Sequence, residues 1–155
     1  MPSDPPQASK LLLPPVYFLV AIALMVALHF AAPVLVWLAG PWRLIGILPI
    51  VAGAGIASTG ALQFRRRGTA IKPFETSSTL VTDGLYRFSR NPMYVGLIVT
   101  LIGIGICLGS ATPLFVIPVF VWVIRARFVR FEEASLEKQF GRTYLDFKSR
   151  VRRWL

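Results

Sequence analysis

Two short clusters in this 155-residue chain carry the side chains best able to do chemistry, and an uncharged stretch separates them. The first is Arg90-Asn91-Pro92-Met93-Tyr94. Asn91-Pro92 reads as an N-cap followed by a proline at the first helical position, so Arg90 sits where a helix presents free N–H groups and positive potential. An anionic group of a ligand is welcome there. The plainer reading is that Asn91-Pro92 only starts a helix while Arg87 and Arg90 snorkel away from apolar surroundings. The second cluster begins at Glu132-Glu133 and runs through Leu136 and Phe140-Gly141 to Tyr144. Glu132, Leu136 and Phe140 recur at i, i+4 and i+8, so Glu132 shares a face with two residues that should pack inward, and Gly141 stops the helix. A carboxylate on such a face is costly unless it meets a cation or a hydroxyl donor. Its plainer reading is a solvated cluster paired with Arg127 and Arg130.

The elements that must position these clusters follow from the distribution of charge. The chain is 55% hydrophobic, yet carries 17 Lys+Arg against 7 Asp+Glu, a net +10. The charges are segregated: Leu11–Trp42, Leu44–Phe64 and Asn91–Ile124 are runs of 32, 21 and 34 residues without Lys, Arg, Asp or Glu. A soluble domain needs a wet face on every element. The segregation excludes an ordinary soluble enzyme, a disordered tail and a basic nucleic-acid module, and implies an all-α integral membrane protein.

About 20 apolar residues make a span, which predicts four. The first covers Pro15 to Trp37, with Pro14-Pro15 at its start and Pro33 and Gly40-Pro41 at its far end. A cleaved signal peptide is the alternative for this stretch, although it exceeds the usual apolar core of one. The second span, Leu44–Phe64, carries Gly46, Gly53, Gly55, Ser58 and Gly60, which permit close helix approach. The third run is long enough for a tight helical hairpin turning at Gly109-Ser110-Ala111-Thr112-Pro113, with Thr112 as a cap, followed by an amphipathic helix. With both termini on one side, that side receives Lys10, the basic residues of the Arg65–Arg90 connection and all those from Arg125 onward, leaving only Arg43 opposite. The positive-inside rule makes that side cytoplasmic, and its charge also attracts anionic headgroups.

No acidic residue falls within the runs, which argues against a proton-coupled pump or exporter. Cys107 and His29 read as packing or interfacial residues rather than a reactive thiol or a buried base. No metal site is expected. A tight hairpin returns the Arg90 end and the Glu132-Glu133 end to one membrane face, where cationic and anionic groups together fit a zwitterionic, partly cationic ligand.

These residues resemble the signature of the membrane-embedded isoprenylcysteine carboxyl methyltransferase and phospholipid methyltransferase families: Arg-His/Asn-Pro-x-Tyr, an uncharged hairpin, then Glu-Glu-x-x-Leu-x-x-x-Phe-Gly-x-x-Tyr. The upstream Leu80–Arg87 and the Val151-Arg152-Arg153-Trp154 segment are similar to family members too. The resemblance divides the chain into residues 1–64, two generic spans, and 65–155, a methyltransferase core. It implies S-adenosylmethionine as cofactor and a lipid or lipid-linked methyl acceptor, with no nucleic-acid partner. Arg90 and Glu132 would carry catalysis. Arg90 would bind the cofactor's carboxylate, Asn91, Pro92 and Tyr94 would shape the pocket, Glu132 and Glu133 would engage its ribose hydroxyls or ammonium, and Tyr86 or Tyr144 would close over it. Gly53-Ala54-Gly55 could correspond to a Gly-x-Gly of the phospholipid branch, or serve packing. Isoprenylcysteine enzymes usually have His at Asn91, so a histidine-dependent step does not carry over. An NADPH-dependent reductase of the sterol type and a non-enzymatic membrane adapter are the competing readings.

Overall fold

The computed structural model describes residues 13–66 and 79–155, and among them it is all-helical apart from one isolated bridge between Val36 and Ser110. Lys10 and the 67–78 part of the basic connection lie outside the described residues. Pro14 and Pro15 open α1 (Pro14–Ala31), where a missing N–H removes no helical hydrogen bond. This helix ends six residues before the expected Trp37. Pro33 disfavours helical backbone at Ala32, which turns out at φ −149°, ψ 68°.

A 3₁₀ turn at Gly40–Gly46 runs directly into α2 (Ile47–Arg66), and α3 spans Pro92–Leu108. The stretch Gly40–Arg66 and α1 are long and apolar enough to cross a membrane, and α3 is a shorter apolar helix. Packing between α2 and α3 follows from glycines seven residues apart. Gly46, Gly53 and Gly60 on one side meet Gly103, Gly96 and Met93 on the other, so closely that a methyl group at Gly53 or Gly103 would run into the facing backbone. Cys107 lies in the same seam against Gly46, a packing role. Gly55 faces open space, so packing accounts for Gly53 but not for its neighbour.

Gly109 ends α3 in the left-handed conformation at φ 72°. Thr112 does not cap the next helix as expected. Its hydroxyl donates to the Ala32 carbonyl at 2.6 Å and accepts from the Val34 N–H at 2.9 Å, tying this turn to the one after α1. His29 joins the same junction, its Nδ1 lying 2.7 Å from the Ser110 hydroxyl. After a 3₁₀ turn at Thr112–Phe115, one continuous helix carries α4 (Val116–Ile124), a π-helical turn (Arg125–Val129) and α5 (Arg130–Phe140). Gly141, at φ 51°, breaks it before α6 (Arg142–Arg150).

Met25, Leu101, Phe120, Ile124 and Phe128 form the main core between α1, α3 and α4. A smaller cluster of Val81, Tyr86, Tyr144 and Phe147 sits beneath the site. Large apolar side chains such as Leu19, Phe30, Leu48 and Trp122 remain 63–77% exposed on the outside. A soluble protein rarely leaves such a continuous apolar exterior, whereas lipid solvates it at no cost.

Substituting Gly103 by Leu should force α2 and α3 apart and lower stability by about 3 kcal/mol. Gly55→Ala should leave stability unchanged or raise it by up to about 1 kcal/mol. Thermal unfolding of both variants in detergent checks the seam.

Candidate active site

Three segments far apart in sequence converge here: the turn Gly84–Asn91 leading into α3, the first turn of α5, and Val151–Trp154 after α6. A 3₁₀ turn at Gly84–Arg87 buries Tyr86 against Phe64 of α2, ring centroids 5.1 Å apart. Asn91 stands at the N-cap position and Pro92 at the first helical position, as expected. One detail differs from the expectation. The Asn91 side chain makes no cap. Its Nδ2 donates to the Arg153 carbonyl at 3.0 Å, while the Asn91 N–H donates to the Ser89 hydroxyl at 3.1 Å. Pro92 faces Gly60 of α2. Both residues therefore fix the approach of chain segments.

Glu133 is the electrostatic centre. Arg153 donates to both its oxygens, Nε to Oε1 at 2.8 Å and Nη2 to Oε2 at 2.7 Å. Arg90 Nη1 lies 3.1 Å from Oε1. The Glu133 and Arg90 side chains are each only 9% exposed, so this pair is shielded from the water that weakens surface ion pairs. Arg90 Nη1 also donates to the Tyr144 hydroxyl at 3.4 Å, and Tyr144 itself is fully buried. Burial tends to raise the Glu133 carboxyl, but the hydrogen bond from Arg153 and the charges of Arg90, Arg153 and Lys148 outweigh it and hold the group below its usual range.

Glu132, its neighbour, lives in different surroundings. It accepts a hydrogen bond from the Tyr94 hydroxyl at 2.8 Å, and among the described residues no arginine forms with it the ion pair that Glu133 has. Burial raises its carboxyl, the Tyr94 hydrogen bond opposes the shift and the Glu133 charge adds to it. Neither glutamate pairs with Arg127 or Arg130 in the manner of a solvated surface cluster. Burial also raises the phenols of Tyr86 and Tyr144, which keeps both protonated at neutral pH.

Two polar atoms here are buried without a hydrogen-bond partner among the described residues: Tyr86 Oη and Arg90 Nε. Buried polar groups are normally satisfied, so an orphaned guanidinium N–H beside a site points to a group that completes it. Gln63 Oε1, whose amide lies against Gly84, is a third.

The eight expected residues thus divide. Arg90 touches both Glu133 and Tyr144; Tyr94 and Glu132 form the adjoining pair; Tyr86 lies below, near enough to Glu132 to feel its charge; Asn91 and Pro92 join chain segments. Arg153, Ser89 and Gln63 were missing from the expectation. Only the likeness of Val151–Trp154 to family members pointed toward Arg153.

A phospholipid methyltransferase family model matches residues 42–143 of this chain. The chain belongs to that family. The match takes in α2, the turn bearing Tyr86 and Arg90, α3, the paired glutamates and the helix stop at Gly141, and it ends one residue before Tyr144. Among curated relatives, protein-S-isoprenylcysteine O-methyltransferase B of Arabidopsis thaliana is 29% identical over 108 residues, covering 68% of this chain and 55% of that protein. Protein-S-isoprenylcysteine O-methyltransferase of Schizosaccharomyces pombe is 32% identical over 72 residues, 46% of this chain and 30% of that protein. The Mus musculus protein of the same name is 40% identical over 73 residues, 47% and 26% respectively. This chain therefore spans about half or less of the length of these relatives. Family membership, with two helices long and apolar enough to cross a bilayer, makes it a membrane protein. The family match does not favour the reductase reading.

Glu133→Gln should cost about 3 kcal/mol at pH 7, because it strips the anion from two guanidinium groups in a largely shielded site. A carboxyl held low in the folded state contributes stability that is present above its unfolded value and lost as pH falls through the folded one. The gap between Glu133→Gln and the parent should therefore close as pH drops below about 4. Thermal unfolding across pH in detergent measures it.

Proposed function

We propose that the chain is a methyltransferase that uses S-adenosylmethionine and methylates a lipidic or lipid-linked acceptor at the cytoplasmic face of the membrane. The observation that carries this reading is that, among the described residues, a buried cation with an unpartnered N–H, Arg90, stands on Glu133 next to a partly buried carboxylate that no arginine pairs with, Glu132, at the mouth of apolar helices. Those two groups fit the amino-acid carboxylate and the ribose hydroxyls or ammonium of the donor. In this reading α1, α2, α3 and the α4 helix each cross the bilayer, α3 and α4 as a hairpin. Both ends of the chain and the site lie on the side that holds the basic residues.

The bound donor supplies a methyl group already activated by a positive sulfur, so the chain's task is alignment and exclusion of water. Arg90 would hold the donor's carboxylate, its buried Nε being open to such a partner among the described residues. Tyr94 fixes the Glu132 carboxylate by donating to Oε1, and the other oxygen would engage the ligand. Tyr86, kept protonated by burial, is a hydroxyl donor rather than a base. Glu133 is locked between two arginines and its low proton affinity makes it a poor base, so removal of a proton from an amine acceptor would fall to Glu132. A carboxylate acceptor needs no base at all.

Two substitutions test the assignment. Arg90→Ala and Glu132→Gln should each abolish binding of S-adenosylhomocysteine by the detergent-purified protein, measured by calorimetry, and cut methyl transfer at least about a hundredfold. Transfer is followed by incubating membranes with methyl-labelled donor, and the labelled species identifies the acceptor. An adapter predicts no label and no effect of either change; tight NADPH binding without binding of S-adenosylhomocysteine would restore the reductase.

A further inference from the structure

We infer that Arg153 is a positioning residue for the donor site: it occupies Glu133 so that Arg90 keeps one edge of its guanidinium for the ligand. This rests on the methyltransferase reading above and extends it to a residue outside the paired motifs. The argument starts from the chemistry of a fork. An arginine and a carboxylate left to themselves adopt a two-point contact, which uses a pair of N–H groups at once. Glu133 offers one such contact, and two arginines are within reach. Arg153 takes it, Nε and Nη2 each donating to a separate oxygen. Arg90 is left with a one-point contact through Nη1, shared with the Tyr144 hydroxyl, and its buried Nε has no partner among the described residues.

The backbone around Arg153 holds the same arrangement from the other side. The Arg90 N–H donates to the Arg152 carbonyl at 3.0 Å. The Arg153 carbonyl accepts from Asn91 Nδ2 at 3.0 Å and from the Ser89 hydroxyl at 3.3 Å. Trp154 then packs against the main core, next to a helix face it does not belong to. Three consecutive residues, Ser89, Arg90 and Asn91, are thus bound to two consecutive residues of the Val151–Trp154 segment. With Arg153 removed, Glu133 is free to take Arg90 by its fork. The Nε edge then turns onto Glu133, and the ligand loses its cation.

The test compares two probes on the full chain in detergent. S-adenosylhomocysteine carries the amino-acid carboxylate; 5′-methylthioadenosine has the same nucleoside and thioether without it. Arg153→Gln should weaken S-adenosylhomocysteine binding at least about tenfold, the loss of one charge-assisted hydrogen bond, and leave 5′-methylthioadenosine within twofold. Equal weakening of both probes would mean that Arg153 only supports the fold, and would overturn the inference. Unchanged binding of both would overturn it too. Should Arg153→Gln fail to fold, Arg153→Lys keeps the charge but not the fork and must show the same selective loss. If the unsubstituted protein binds neither probe, the methyltransferase reading itself fails. If Arg90→Ala abolishes S-adenosylhomocysteine binding while both Arg153 variants retain it, only the present inference falls.

Discussion

The site depends on one buried anion shared by two cations. Glu133 joins the first turn of α5 to Arg90, just ahead of α3, and to Arg153, just after α6. Ion pairs out of water are often no better than apolar packing of the same volume, because each charge must be desolvated. Their use lies in geometry: once formed, a charge left without its partner is so unfavourable that the three segments have a single low-energy register. The surrounding packing is arranged to match. Tyr144 and Phe147 of α6 fill the space under Arg90 together with Val81 and Tyr86, so the charged layer rests on a small apolar floor.

That register requires a particular rotation of α5, and the π-helical turn at Arg125–Val129 supplies it. Along α4 the buried positions are Val116, Phe120 and Ile124, each four residues apart. Within the π turn Phe128 and Val129 are both buried, and beyond it the buried position is Glu133. An α-helix turns about 100° per residue, so one extra residue in a turn moves everything after it by that angle. The wide turn shifts the inward stripe by one position without ending the helix, and a π turn in this setting is common next to functional groups. Tyr94 and Glu132 meet at 2.8 Å because of this offset.

Much of this was legible in the residues. Uncharged runs located the helices, prolines marked the start of α1 and α3, and Gly109 and Gly141 marked two stops, because each of these signals acts within a turn or two of chain. The i, i+4, i+8 pattern of Glu132, Leu136 and Phe140 correctly placed the last two against the apolar floor. What escaped the residues were contacts set by tertiary approach. Nothing local says that Thr112 will bond to Ala32 and Val34 instead of capping, or that Asn91 will reach for the Arg153 carbonyl. The π turn was equally invisible, since Arg125-Ala126-Arg127-Phe128-Val129 has ordinary helical composition. Arg153 looked like one more basic residue in a basic tail. Its partner 20 positions earlier becomes its neighbour only after Gly141 has turned the chain.

The two adjacent glutamates show how neighbouring carboxyls acquire separate duties. On a helix they point about 100° apart, so one meets the arginines and the other meets Tyr94. The arginine-facing group is held ionised and spends its lone pairs on structure. The tyrosine-facing group is lifted by burial, and the negative charge of Glu133 beside it lifts it further, so the structural ion pair tunes its neighbour. A carboxyl of raised proton affinity binds a cation more strongly in a water-poor site than a solvated one would, because little competes for its charge. It is also the better proton acceptor of the two. In the proposed reaction the same property thus serves donor binding first and, for an amine acceptor, deprotonation. The two environments are set by different partners: Arg90 and Arg153 hold Glu133, while burial, Tyr94 and the charge of Glu133 act on Glu132.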